Sequence, residues 1–214
     1  MQTVHTTFPL AHHLLHRIDF HPATFSDGDL LWLPHRSALA DAGKKRRSEH
    51  LAGRIAAVHA LQPWGVKAVP AIGDNRQPVW PPNLYGSISH SRTAAVAVVS
   101  PQPVGVDIEQ IFSPTLAGEV ATQIASPVEI FRLQTSGLPF AIALTLAFSA
   151  KESVYKAFSS QARPFPGFAA AEVISIGENM LRLRLTDAFS SALAGETIEV
   201  AYRLEGDEVV TCTG

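Results

Sequence analysis

The sequence predicts a mixed α/β (α+β) protein in two parts, and three observations carry that reading. Residues 41–61 and 140–158 each repeat apolar side chains at helical spacing. Short apolar runs bounded by turn residues dominate the stretch after residue 172. Pro101-Gln-Pro103 is the most natural seam, dividing the chain into 1–103 and 104–214 with a long amphipathic helix and several strands on either side. At 214 residues either part can bury a core.

The first forty residues are rich in histidine, proline and aspartate, which predicts short strands and turns. Leu30-Leu-Trp-Leu33, bounded by Asp27-Gly-Asp29 and Pro34, reads as a strand. From Asp41 to Leu61 the positions Leu51, Ile55, Val58 and Leu61 recur at three and four, which predicts a helix. Its start, Lys44-Lys-Arg-Arg47, has the wrong charge for a helix N-terminus and calls for something negative nearby. Gly73-Asp-Asn-Arg-Gln-Pro78 is turn chemistry, and Trp80-Pro-Pro-Asn83 continues as loop. Ala94–Val99 reads as a buried strand and Val104–Ile108 as another. Ser126-Pro-Val-Glu129 is a helix start, with a serine cap, proline at the first position and glutamate closing a capping box. Phe140–Phe158 is the second long helix. Strands follow at 172–176, 180–185, 198–204 and 209–211, with turns at Gly177-Glu-Asn179 and Glu205-Gly-Asp207.

Composition narrows the class. Hydrophobic residues make up 46% and charged residues 17%, which fits a packed protein rather than a disordered one. A formal charge of −2 argues against a general nucleic-acid binder. The single cysteine, Cys212, excludes an intramolecular disulfide and a zinc-type cluster, and its place near the terminus predicts an exposed or half-buried thiol. The first ten residues lack the basic start and apolar run of a secretory leader. The longest mostly apolar segment, Leu138–Ala150, falls short of the roughly 20 residues that span a bilayer. The expectation is a cytoplasmic protein with no membrane span.

The chemistry is concentrated in two strings, Val104-Gly-Val-Asp-Ile-Glu-Gln110 and Phe148-Ser-Ala-Lys-Glu-Ser-Val-Tyr-Lys-Ala-Phe158. On a strand, Asp107 and Glu109 share the face opposite the valine and isoleucine row. On a helix, Glu152 and Lys156 lie one turn apart. Three carboxylates brought together repel and raise one another's pKa unless a cation sits among them. Oxygen-only ligands suit a hard ion, and few protein ligands leave room for the waters and substrate phosphate that Mg²⁺ prefers. Lys151 and Lys156 would then face phosphate oxygens, so the strings read as a magnesium-dependent phosphoryl-type transfer site. A solvated edge strand and an ordinary helix ion pair are the plain alternatives, but both strings are otherwise apolar. His12, His13 and His16 have no carboxylate or cysteine nearby and carry no metal reading.

With Gly86-Ser-Ile-Ser-His-Ser91 upstream, these strings resemble the signature of the 4'-phosphopantetheinyl transferases of the larger, single-chain (Sfp-type) class, over roughly Lys44 to Phe158. The resemblance implies two similar α/β halves related by a pseudo-twofold axis, with the active site in the cleft between them. Residues 1–103 would supply a coenzyme A-binding helix and loops, and 104–214 the metal site and catalytic helix. It implies Asp107, Glu109 and Glu152 as Mg²⁺ ligands, with Glu152 also a base, and Lys151 and Lys156 as phosphate contacts. His90, aided by Ser89, would meet the pyrophosphate. Arg46 and Arg54 would clamp the 3'-phosphate of coenzyme A, and Arg76 would lie near the nucleotide end. Lys44, Lys45 and Arg47 would steer. The implied reaction moves 4'-phosphopantetheine from coenzyme A to a serine of an apo-carrier domain (peptidyl, aryl or acyl), with siderophore-making peptide synthetases as the expected source. The implied state is a monomer. Phe112, Leu116 and the segment to Ile124 would form either a carrier-docking surface or core. Two other classes compete. A magnesium nuclease carries its acid and lysine two apart on a strand, unlike Glu152 and Lys156. A silent coenzyme A- or carrier-binding protein would not need all three expected ligands and Lys156, which are present.

Overall fold

The first twenty residues, within the stretch expected to hold short strands and turns, form a β-hairpin whose turn residues do not mark it. In the computed structural model, which describes residues 1–74 and 76–214, β1 (Thr3–Leu10) pairs antiparallel with β2 (His13–Phe20). The two-residue turn is Ala11-His12, both at positive φ (50° and 63°). Such mirror-type turns favour Asn-Gly or Asp-Gly, so Ala-His leaves no signal. β1 is largely exposed and carries little apolar alternation.

The chain divides into two compact units, Met1–Pro103 and Val104–Gly214. In the first, β5 (Tyr85–His90) and β6 (Ala94–Ser100) complete an antiparallel sheet of order β1-β2-β6-β5. All seven residues of β6 are buried. Helix α1 (Lys44–Leu61) packs on this sheet through Ala52, Ala56, Ala57, Ala60 and Leu61, against Ile18, Phe20, Ala95 and Ala97. Its small residues permit a close approach: a Cβ added at Gly53 would lie 2.8 Å from Ile88 Cγ2. The expected strand at Leu30–Leu33 is instead a 3₁₀ turn over Asp27–Trp32. Ser26 and Asp29 close a capping box there, so local side-chain hydrogen bonds override strand propensity. Two short strands, β3 (Ala71–Ile72) and β4 (Pro78–Val79), flank the expected turn, of which Asn75 lies outside the described residues.

The second unit opens with β7 (Val106–Gln110), followed by α2 (Pro114–Ile124), α3 (Pro127–Gln134) and α4 (Phe140–Phe158). α3 begins with the expected capping box between Ser126 and Glu129. Strands β8 (Ala171–Ile176), β9 (Met180–Leu185), β10 (Thr197–Glu205) and β11 (Glu208–Thr213) complete an antiparallel sheet of order β7-β11-β10-β9-β8. β9 alternates strictly, with Leu181, Leu183 and Leu185 buried and Met180, Arg182 and Arg184 exposed. The leucines join Val173, Val200 and Val209 in one core with Ala143, Leu144, Leu146, Ala147, Ala150 and Val154 of α4. Within α2, Ala117, Ala121 and Ile124 belong to that core and Phe112 packs against it, whereas Leu116 is exposed.

Cys212 departs from expectation. It lies within β11 between Val106 of β7 and Ala201 of β10, with no exposed surface. Burial pushes its thiol pKa up to about 12. The thiolate is the reactive form, so the native protein is expected to resist a disulfide reagent such as DTNB. Full reaction should appear only after denaturation, and stoichiometric labelling of the folded protein would contradict the burial.

Candidate active site

The geometry of the acidic strand begins at Gly105. A Cβ there would sit 1.9 Å from the Ser153 carbonyl oxygen, so the chain entering β7 touches the backbone of α4, which only glycine allows. Gly105 N donates to Thr213 Oγ1 (2.8 Å), and its carbonyl accepts from Thr213 N (2.9 Å). Deeper in, Thr211 Oγ1 bonds Ser149 Oγ at 2.9 Å and Ser153 Oγ at 2.7 Å, all buried. Thr211 is also the register partner of Asp107. These hydroxyls fix α4 against β11 and, through it, against β7.

That anchoring brings Lys156 to Asp107. Lys156 Nζ lies 2.6 Å from Asp107 Oδ1 and donates to the Val106 carbonyl at 3.3 Å. Asp107 is buried, while Glu109 and Glu152 are partly so. Burial, then Asp107 and Glu152, push the Glu109 carboxyl up to about 7, with Lys156 pulling against them. Burial also raises Glu152, and Asp107 adds to the rise while Lys156 opposes it. Asp107, Glu109, Glu152 and Lys156 thus form one electrostatic group, in which, among the described residues, Lys156 is the ammonium that opposes the raised pKa of Glu109 and Glu152.

Charge and ligand type in this group fit a hard divalent ion. Among the described residues, however, no three His, Cys, Asp or Glu side chains are arranged as a ready metal-holding cluster. The cation beside Asp107 is Lys156. Binding a metal would therefore require the carboxylates to close around it, relieving the repulsion from Asp107 and Glu152 that adds to the effect of burial on Glu109.

Lys151 is not part of this group, which corrects the expectation of a phosphate contact. Its ammonium is buried and pairs with Glu129 Oε1 at 2.7 Å, and it donates to the carbonyls of Ile124 (2.8 Å) and Phe168 (3.0 Å). Three donors are matched to three acceptors. The helix itself carried the signal: five residues at 3.6 per turn place Lys151 and Lys156 about 140° apart. Glu129 could be read from the sequence as a capping residue, but nothing there revealed its buried partner. Beside Lys151 and Glu152 lies a cavity of about 240 Å³, walled by Tyr155, Phe165, Phe168 and Phe189.

The first unit holds a separate basic group. Arg46 Nη1 lies 2.9 Å from His90 Nε2, joining α1 to the end of β5. Glu49 Oε2 is 3.8 Å from His90 Nδ1. Arg54 is only 5% exposed, its Nη2 donates to the Ala71 carbonyl at 3.4 Å, and its Nε has no hydrogen-bond partner among the described residues. Burial, and then Arg46, lower the Arg54 pKa to about 10. His50 meets His35 Nε2 to Nε2 at 2.9 Å. Burial, then Arg54 and other nearby cationic groups, push His50 down to about 3, so it is neutral at pH 7. Glu49 and His50 were missed, since buried polar residues on an apolar-periodic helix leave no spacing signal, and half-buried His35 was missed because it lies in a turn before that helix. Ser89 is buried and, by strand alternation, lies on the face of β5 opposite His90. Arg76 is exposed in the turn between β3 and β4.

A buried guanidinium with an unpartnered Nε suits a phosphate, and an acid–lysine group with a raised carboxyl pKa is a candidate reactive group. Comparison with known proteins makes this specific. Residues 34–100 match the 4'-phosphopantetheinyl transferase N-terminal domain, and 103–213 match the 4'-phosphopantetheinyl transferase superfamily. The chain is 52% identical over 211 residues to enterobactin synthase component D of Salmonella typhi, covering 99% of this chain and 90% of that protein. It is 57% identical over 175 residues to the protein of that name in Escherichia coli K12, covering 82% and 84%. Identity to 4'-phosphopantetheinyl transferase PptT of Mycobacterium tuberculosis is 32% over 148 residues, covering 66% and 64%. The chain therefore belongs to the 4'-phosphopantetheinyl transferase superfamily. It is an enzyme that transfers phosphopantetheine from coenzyme A to carrier proteins.

Proposed function

We propose that this enzyme, as a monomer of the larger single-chain class, modifies a serine on apo-carrier domains of siderophore-making peptide synthetases in an enterobactin-like pathway. Adenosine 3',5'-bisphosphate would leave, and Mg²⁺ would be held by Asp107, Glu109 and Glu152. The names of the enterobactin synthase relatives support the pathway. The observation that carries the chemistry is the group of carboxylates around Lys156, two of them with raised pKa values.

When bound, the ion would neutralise and polarise the pyrophosphate. Glu152, whose pKa burial raises, accepts the proton of the carrier serine as its oxygen attacks the phosphorus bearing the pantetheine arm. The bond to the bridging pyrophosphate oxygen breaks, and Lys156 meets the charge that develops on the leaving side. The aromatic cavity beside Glu152 gives the pantetheine arm an apolar bed. In the first unit Arg46 and Arg54 take the 3'-phosphate, with His90 contacting phosphate oxygens and Arg76 toward the nucleotide. A phosphate would supply Arg54 with the acceptors its buried guanidinium is short of.

The test is Arg54→Ala. Loss of a charge-assisted hydrogen bond costs about 1.5–3 kcal/mol, roughly tenfold or more in affinity. Coenzyme A binding, measured by calorimetry, should weaken by that factor, while the dephospho analogue lacking the 3'-phosphate should bind nearly as before. Equal losses for both ligands would remove Arg54 from the 3'-phosphate site.

A further inference from the structure

The buried ion pair of Glu129 and Lys151 has more connections than its packing requires. Both side chains are 2% exposed. Glu129 Oε1 accepts from Lys151 Nζ and from Val173 N (2.8 Å), and Glu129 Oε2 accepts from Ser126 N (2.9 Å). Lys151 in turn holds the Ile124 and Phe168 carbonyls. One pair thus ties the end of α2, the start of α3, the strand β8, the segment before it and the middle of α4.

Desolvating two charges is costly, and an apolar pair of similar volume fills such a space with equal or greater stability. Stability alone therefore does not account for the pair. Its position does. Lys151 is the residue before Glu152, so its anchor sets the rotation of α4 that aims Glu152. The Phe168 carbonyl it holds belongs to the wall of the cavity beside Glu152.

We propose that Glu129 and Lys151 are positioning residues for the transfer step, fixing Glu152 and the Phe168 wall in register without touching substrate. This rests on the reading that Glu152 and its cavity are the reacting end. A misplacement of about 1 Å at a reacting group costs on the order of 10²-fold in rate.

The experiment is a double-mutant cycle of Glu129→Gln and Lys151→Met, read by kcat and KM for coenzyme A with apo-carrier as acceptor. Hydrogen-exchange mass spectrometry would follow residues 165–171. Each single variant should lose about 10–100-fold in kcat with KM nearly unchanged, and exchange at 165–171 should quicken. The double variant should lose no more than the worse single one. Loss of kcat in Lys151→Met alone, with Glu129→Gln at the wild-type value, would mean direct phosphate contact and overturn the proposal. So would additive losses, or unchanged exchange at 165–171. If a single variant fails to fold, the neutral double variant decides, and wild-type kcat there also overturns it. Absence of transfer by the wild-type enzyme would instead count against the proposed function, whereas the exchange result stands apart from activity.

Discussion

Glu152→Gln is expected to lower single-turnover transfer to an apo-carrier by about 10²–10⁴-fold, the range for loss of a positioned general base. Gln keeps the shape and one oxygen ligand but cannot accept a proton. The residue is partly buried on the same helix face as Lys156, and burial raises its pKa, bringing it closer to the range of a useful base at neutral pH. Coenzyme A should still bind, because the basic group of Arg46, Arg54 and His90 is untouched. Raising Mg²⁺ separates two roles. A residue that only holds metal is rescued by higher occupancy, whereas a lost base is not. Activity that stays low across a Mg²⁺ titration while coenzyme A binds is the expected result, and full recovery would remove the base assignment.

Gly105→Ala should be the most damaging single-methyl change in the second unit. The added carbon would overlap the Ser153 carbonyl oxygen at 1.9 Å and approach Ala157 N at 2.8 Å, both backbone atoms in α4. Neither can rotate away, so helix and strand must separate. Overpacking of well-fitted sites typically costs about 1–3 kcal/mol, and a clash against fixed backbone should exceed that. Chemical denaturation would show a lower midpoint. Any folded fraction should have lost the 2.6 Å approach of Lys156 to Asp107, and with it transfer. A variant of native stability and full activity would show that the strand has room that the structure denies it.

How far the sequence could be read depended on where the determining interaction lay. α4 was legible because its apolar period runs from Phe140 to Phe158 behind Pro139, and α3 because capping chemistry is local. β9 was legible because one face is solvated. The hairpin of β1 and β2 was not, since Ala11-His12 adopts a turn that its residue types do not advertise. Leu30–Leu33 misled because the capping box of Ser26 and Asp29 outweighs four residues of propensity. In the site, two local periodicities placed Asp107 with Glu109 on a strand and Glu152 with Lys156 on a helix, but the ion pair of Lys156 with Asp107 was not legible, because it joins residues 49 apart. Nor were the partners of Lys151, because Ile124, Glu129 and Phe168 come from three other segments and are joined to it only by packing.

The basic group on α1 has a consequence for acid tolerance. His50 holds its proton far more weakly in the folded protein than in the unfolded chain, with a pKa near 3 against an ordinary 6.5. His16, stacked near His5 and His59, is likewise pushed down to about 4. Between those values and 6.5 the unfolded chain binds more protons, so stability falls as pH drops through that window and is retained above it. The buried histidines His50 and His16 are therefore the places where acidity loosens the first unit. Under the proposed function coenzyme A would act as a counter-ion to Arg46 and Arg54 as well as a donor, and its loss and the protonation of His50 would bear on one group of residues.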